Sequence, residues 1–561
     1  MVQDLAASGV ERLPGLYVLV WGLACAAGWA QTYPAGPQVV TFFSDVDDTD
    51  QPYALYVPKA YDADKKYPLV ISLHGAGSNH RLNLRRVFGK GNLPGETDAE
   101  ATRYFPRLRD VEYFVASPLA RGTLGYQDIA ERDVYDVLND VKKRFSIDED
   151  RVYLTGLSMG GGGALWLGLT RPDIWAAIAP VCAAAPQQVG LLAGNAMNLP
   201  VHLFHGSIDP VVPVASSRQW QHDFLELGCP VEYTEFPNVR HNSWDNAYRD
   251  GAVFDLFAPV RRNRFPRRVR FRTEHYKYAS AYWISLDTIS PGTLAEIDAE
   301  FVSRNQIAVR TSNIEGFTLK LAGHPMYSAT ATLAIVIDGQ KMKPGPAASF
   351  SKTLKSWEPK RDIPVAARKG PGAEGPISEA VASRHIYVYG TAGPTTDDEI
   401  RERRQQALDG AEWSTARDRL LLSLRTVADR DVRPSDVASS NLVLFGTKET
   451  NTLIARYSAQ LPIALNPSAA DYGLVFIVSA GGRYVLVNSG LPWWTGADQA
   501  NRGGLPFLPL RYRALQSFGD FILFKGSLEN VVAEGLFTSD WKLPPEAARK
   551  MLATGAVQIQ L

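Results

Sequence analysis

Two rhythms of apolar and polar residues divide the chain. From residue 38 onward, short β-branched runs alternate with longer amphipathic stretches. Pro68–Leu73, Val111–Ala116, Arg151–Thr155, Trp175–Val181, Val201–His205 and Val231–Phe236 read as strands. Between two of them, in Glu131–Phe145, Val134, Val137, Leu138, Val141 and Phe145 recur at helical spacing, which predicts a helix with one buried stripe. This alternation predicts an α/β domain over 38–262, with a mostly parallel sheet between layers of helices. From 267 to 340 the pattern shortens. Tyr278–Leu286, Ile297–Phe301, Gln306–Arg310, Phe317–Ala322 and Thr332–Ile337 read as strands of a small antiparallel β domain, with Asp338–Gly339 as a hairpin turn. Residues 341–378 are rich in Pro, Gly, Lys and Ala and read as a linker. A second α/β domain is expected over 380–561. Its strands His385–Tyr389 and Asn441–Phe445 each run into a Gly-Thr turn and a helix.

The first thirty residues fit neither rhythm. Leu16–Ala27 is an apolar run too short to span a bilayer, which takes about 20 residues. Gly28-Trp29-Ala30 after it offers the small-x-small pattern of a signal-peptidase site. Residues 1–30 are therefore expected to be a signal peptide or an N-terminal anchor, and the protein secreted or periplasmic. No later run is long enough to span, so no integral membrane domain is expected.

Charge narrows the function classes. Lys+Arg and Asp+Glu both number 59, so a nucleic-acid binder working through bulk charge is excluded. Seven arginines nevertheless crowd into Arg261–Arg272, where pairing with acids of neighbouring segments is the expected role. Three cysteines exclude a disulfide scaffold. Cys182 and Cys229 fall at opposite ends of parallel strands and are expected to be free.

In an open α/β sheet the chemistry gathers at the carboxyl ends of the strands. There lies Gly156-Leu157-Ser158-Met159-Gly160, a G-x-S-x-G between the strand Val152–Thr155 and a glycine-rich helix. So tight a bend puts Ser158 in strained backbone and lifts its hydroxyl above the sheet. A serine hydroxyl needs a base. Asp209, in HGSIDPVVP, and His241, in HNSWDNAY, each follow a strand end, in the order Ser, Asp, His. Asp245 is a competing acid that its helix aims badly. The turn His74-Gly75-Ala76-Gly77 ends another strand, so the N–H groups of Ala76 and Met159 are the expected oxyanion donors. Tyr126 and Trp244 are candidate substrate walls, while His74 and His205 read as structural. Nothing calls for a metal or a cofactor.

HGAGSNH (74–80), DEDRVYLTGLSMGGGGA (148–164), HGSIDPVVP (205–213) and HNSWDNAY (241–248) together resemble the α/β-hydrolases. The resemblance covers roughly residues 38–260. It is strongest to prolyl-oligopeptidase-type catalytic domains and to the polyhydroxybutyrate-depolymerase and feruloyl-esterase group. It implies a serine hydrolase with Ser158 as nucleophile, His241 as base and Asp209 as acid, acting through an acyl-enzyme on a small-molecule or polymeric ester. About 17 residues separate Cys182 from Pro200, too few for a large cap, and with about 40 residues ahead of the domain no propeller is expected, which favours an ester in an open cleft. A serine peptidase and a non-catalytic binding or scaffold protein are the alternatives.

Overall fold

Strands β1 (Gly36–Ser44) and β2 (Thr49–Val57) form an antiparallel hairpin at the edge of an eight-stranded sheet. In the computed structural model the described residues are 33–122, 125–343, 348–354, 356–360, 368–370, 372–414, 422–497 and 513–560; the segment read as a leader lies outside them. The sheet continues with β3 (Tyr67–Leu73), β4 (Phe114–Pro118), β5 (Ile147–Leu157), β6 (Ala177–Val181), β7 (Val201–Gly206) and β8 (Val231–Phe236), in the order β1-β2-β4-β3-β5-β6-β7-β8. From β4 to β8 all neighbours run parallel. β3, β4 and β6 are buried at every position, as strands covered on both faces must be. Only β2 of this hairpin joins the rest of the sheet, antiparallel to the distant β4.

Four helices matter for the site. α1 (His80–Val87) starts where the Asn79 side chain accepts the N–H groups of Arg81 and Leu82. α2 (Asp128–Arg144) buries Val134, Val137, Leu138 and Val141, the stripe expected from the sequence. α3 (Met159–Thr170) is buried along nearly its whole length, which is why it is apolar all round. α4 (Val214–Glu226) follows the loop that carries Asp209.

The middle of the chain forms two five-stranded sheets around one core that includes Trp283, Phe301, Phe317, Phe350 and Trp357. Two expectations need correction here. The strands are not all antiparallel, since Gln306–Ser312 and Ala334–Ile337 run parallel. The stretch 341–378 is not simply a linker. Ser349–Lys352 and Trp357–Pro359 are strands in one of the sheets: the first pairs with Ile314–Leu319, far back in the chain, and the second pairs with the first. Tyr282 stands at a left-handed turn (φ 54°) inside the run read as one strand, and its hydroxyl donates to the carbonyls of Pro172 and Asn198. The arginine run is paired throughout: Arg261 with Asp148, Arg262 and Arg264 with Asp150, Arg267 with Glu300, Arg268 and Arg270 with Asp298, Arg272 with Glu296.

The last part is a seven-stranded sheet in which Arg425–Ala428, His385–Tyr389, Asn441–Phe445 and Arg483–Gly490 lie side by side and parallel. Trp493 is fully buried and Trp494 packs edge-on against it, so this pair is core. Residues Ala35–Leu561 pack as one compact unit.

Candidate functional site

The turn between β5 and α3 places Ser158. Its backbone takes φ 54° and ψ −115°, a conformation that costs about 1–3 kcal/mol and that only a close surround maintains. The surround is backbone against backbone. A Cβ on Gly156 would lie 2.2 Å from the Gly160 carbonyl oxygen, and one on Gly160 would lie 2.2 Å from that of Leu73. Glycine is therefore required at both positions flanking Ser158. The Ser158 N–H donates to Val181 O, and its carbonyl accepts from the N–H groups of Gly162 and Ala184.

Loops after β7 and β8 bring up the partners. His241 Nε2 is 3.0 Å from Ser158 Oγ, and His241 Nδ1 is 2.7 Å from Asp209 Oδ2. The other oxygen of Asp209 accepts the N–H groups of Val211 (2.8 Å) and Val212 (3.0 Å). Burial raises the Asp209 carboxyl, but the bonds from His241, Val211 and Val212 outweigh it and hold the group below the ordinary carboxylate range. Asp209 is thus a carboxylate at neutral pH, buried, and aimed by two backbone donors. His205 is fully buried, with Nδ1 2.7 Å from Ser217 Oγ and Nε2 3.0 Å from Val212 O. It pins the acid loop. Asp245 instead accepts from Asn242 on the exposed side of the turn.

The turn after β3 comes alongside. A Cβ on Gly75 would lie 3.6 Å from the Ser158 Cβ, so His74-Gly75-Ala76 borders the serine. Met159 is the first residue of α3, where an N–H has no acceptor within the helix. His74 is fully buried, with its ring nitrogens 2.9 Å from the carbonyl oxygens of Gly75 and Leu119. Burial lowers its pKa below the usual histidine range. A neutral ring results, with one N–H for two flanking acceptors.

The two candidate substrate walls part company. Trp244 is half-buried beside His241, the two rings edge-on at 5.5 Å, with the Arg86 guanidinium over the indole at 5.4 Å from its centroid. Tyr126 does not face a cleft. It is 2% exposed, its ring rests on Gly163 of α3, and its hydroxyl donates to the His74 carbonyl (3.0 Å). The sequence placed it correctly in a loop after a strand end but could not show that the loop folds inward.

Cys182 was overlooked as a neighbour of the site. At the end of β6, its sulfur lies within 4.8 Å of the facing Asp209 and His241 atoms. A thiolate there would complete a set of metal-ligand types. Burial, however, pushes the thiol up to about 12, so it keeps its proton and is a poor ligand. The overlooked signal is its place at a strand's carboxyl end, next to the serine's strand. Cys182 and Cys229 are both buried and free.

The eight-stranded sheet, the strained serine on its turn and the hydrogen-bonded chain to His241 and Asp209 define an α/β-hydrolase domain. Residues 131–254, which hold all three side chains, match the family model described as Phospholipase/Carboxylesterase. The match is a likeness of this domain to the carboxylesterases, and two curated relatives extend that likeness to feruloyl esterases. A probable feruloyl esterase C of Aspergillus terreus is 24% identical over 33% of this chain and 65% of its own length. Feruloyl esterase D of Neurospora crassa is 25% identical over 39% of this chain and 73% of its own. The chain thus spans slightly less than two-thirds of the first of these relatives. Among solved structures, a thermostable esterase is 27% identical with a TM-score of 0.33, over 40% of this chain and 63% of that one. No helix among the described residues is long and apolar enough to cross a membrane.

Proposed function

We propose that the protein is a serine carboxylester hydrolase working through an acyl-enzyme. The observation that carries this reading is the unbroken chain Ser158 Oγ, His241, Asp209, with the serine held in strained backbone. His241 Nε2 takes the hydroxyl proton as Ser158 Oγ attacks the ester carbonyl carbon. The carbonyl oxygen gains the negative charge and is held by the N–H groups of Ala76 and Met159. Loss of one such donor typically costs about 3–4 kcal/mol. His241 then gives the proton to the departing alcohol oxygen. Water then attacks the acyl carbon as His241 accepts its proton, and His241 returns that proton to Ser158 Oγ as the bond to the acyl carbon breaks and the acid leaves. Asp209 fixes the imidazole with Nδ1 protonated and balances its charge while it is an imidazolium.

The names of the relatives favour an ester of a hydroxycinnamic acid, on a small alcohol or on a polymer, and Trp244 offers an aromatic wall beside the base. We place the enzyme outside the cytoplasm. The test is turnover of p-nitrophenyl acetate and methyl ferulate by wild type and Ser158→Ala. The expected loss is about 10⁴-fold or more. Equal turnover would overturn the assignment of Ser158, and faster cleavage of a peptide anilide than of either ester would overturn the ester.

A further inference from the structure

Arg121 is a charged residue that the triad does not use, and its side chain has no exposed surface. Its Nε donates to Asp133 Oδ2 (2.8 Å), one Nη to Asp47 Oδ2 (2.8 Å) and the other to Ser44 Oγ (2.6 Å). Removing an arginine from water costs several kcal/mol, so this site is maintained by something beyond packing. The backbone there is also unusual. Ala120, Arg121 and Gly122 all have positive φ, at 46°, 60° and 101°. Two consecutive non-glycine residues in that region need their surroundings to hold them.

Both ends of this strained turn lead somewhere. On one side, Leu119 O accepts the Gly122 N–H and lies 2.9 Å from His74 Nε2, at the base of the turn that carries the Ala76 N–H. On the other, Asp47 sits in the β1–β2 connection with no exposed surface on its side chain. Its Oδ2 also accepts the N–H of Ser423, from the last part of the chain, at 3.0 Å. Burial raises the Asp47 carboxyl, and the bonds from Arg121, Ser423 and Thr49 more than reverse this, so Asp47 is ionised. Leu422 packs with Val46 and Ile129 beside it, and Arg384 grips Asp48 with both carboxylate oxygens and the Asp45 carbonyl. The C-terminal part therefore holds the β1–β2 connection by apolar contact, ion pair and hydrogen bond together.

We propose that Arg121 is a positioning residue for the oxyanion turn, and that the C-terminal α/β part holds it in place through Asp47. The path is Ser423 N–H, Asp47, Arg121, the left-handed turn at 120–122, Leu119 O, His74 and then Gly75-Ala76. This rests on the proposed ester hydrolysis, since an oxyanion donor has no task otherwise. It gives the C-terminal part a role in the reaction without a chemical group of its own in the cleft. A small displacement of the donor affects the transition state more than the bound ester, because the charge it meets develops only there.

The test uses the full-length protein with p-nitrophenyl acetate, with active sites counted by a fluorophosphonate label. Arg121→Met and Asp47→Asn are expected to lower kcat per labelled site about tenfold, with KM within about twofold. Ser423→Pro, which removes the N–H on Asp47 and stiffens the backbone at 422–423 outside the hydrolase sheet, is expected to lower kcat in the same sense by about threefold. Ser423→Ala keeps that N–H and is expected to restore the wild-type kcat. Should the first two variants fail to fold, the Ser423 pair still decides. Unchanged kcat per labelled site with a lower Tm, or a raised KM with kcat intact, would overturn the positioning role. If Ser158→Ala is inactive while the Arg121, Asp47 and Ser423 variants keep full kcat, this inference falls and the proposed function stands.

Discussion

Among the described residues, two mixed sheets have parallel strands that run into glycine turns and helices, and only the first has a serine hydrogen-bonded to a histidine there. In the first, the turn at Gly156–Gly160 ends with the N–H of Met159 free of any helical acceptor and with Ser158 facing His241. In the second, the Gly390-Thr391 and Gly446-Thr447 turns are closed by the protein itself. One Asp429 oxygen accepts the N–H and hydroxyl of Thr391, and the other accepts the N–H of Thr452 at the start of its helix. Thr450 Oγ1 takes the N–H of Thr447. Burial raises Asp429, and these donors more than reverse it, so a carboxylate occupies the place a bound anion would need. The shared strand–glycine–helix grammar is therefore not enough to make a site. What differs is whether the turn's polar groups are spent on the fold or left for a substrate.

The sharpest way to break this comparison is at Asp209. In Asp209→Asn the side-chain carbonyl still accepts from Val211 and Val212, but the amide turns an N–H₂ toward His241 Nδ1. The imidazole must then carry its proton on Nε2, where it cannot accept one from Ser158. Ester turnover at pH 7 is expected to fall roughly 10³- to 10⁴-fold while Tm changes little. A fall of less than tenfold would mean that another acid orients His241. At the second sheet the mirror experiment is Asp429→Ala. It leaves the N–H groups of Thr391 and Thr452 without an acceptor, and a loss of about 2 kcal/mol of stability is expected with no change in KM. Inorganic phosphate should then raise the Tm of the variant and not of the wild type. Stabilisation of both alike would show that the turns are not filled by Asp429.

How far each region was legible follows from the range of its interactions. Ser158, Asp209 and His241, which the structure brings within hydrogen-bonding distance, could be picked out because each stands within a few residues of a strand end, and the strands announce themselves locally. Ser158 needs only its own glycines. The inward fold of Tyr126, the closeness of Cys182 to Asp209 and the burial of Arg121 were not readable. Each depends on which element packs against a turn, and hydropathy does not report that. The strands Ser349–Lys352 and Trp357–Pro359 were hidden for a related reason. Their Pro- and Lys-rich surroundings read as linker, and they join the sheet only because Ser349–Lys352 pairs with the distant Ile314–Leu319 and Trp357–Pro359 then pairs with Ser349–Lys352. The arginine run lay between these cases. Its charge pattern predicted pairing, and only the fold could assign the partners.

A buried carboxyl with a shifted pKa is a further point of comparison, because such groups mark active sites when they face a cleft. Glu374 faces none. Its oxygens accept the N–H groups of Tyr276 and Lys277 from the middle part, while its own N–H donates to the Tyr484 hydroxyl in the last sheet. Burial and the neighbouring Glu379 push it from the ordinary 4.5 up to about 8. A carboxyl raised in the folded state favours folding most below its unfolded pKa. That contribution is lost as pH rises through the folded value. Wild-type Tm should therefore decline by a few degrees between about pH 5 and pH 8, and Glu374→Gln should flatten that slope with kcat unaltered. A steeper decline in the variant would mean that the carboxylate form holds this joint.

The smallest expected effect separates support from contact within the first region. Tyr126 meets the site through the His74 carbonyl, the edge of the His74 ring and the back of α3, so Tyr126→Phe removes one buried hydrogen bond and leaves the ring in place. Such a bond contributes about 1 kcal/mol to stability. Some of that loss should reach the oxyanion turn, lowering kcat by about twofold to threefold. KM for esters of any acid should stay as it is, since no ester meets the hydroxyl. A variant whose KM rises for aromatic esters and not for acetate would put the ring in the cleft after all. Then the loop after β4 would belong to the substrate side of the first sheet, and the division between groups spent on the fold and groups left for chemistry would run elsewhere.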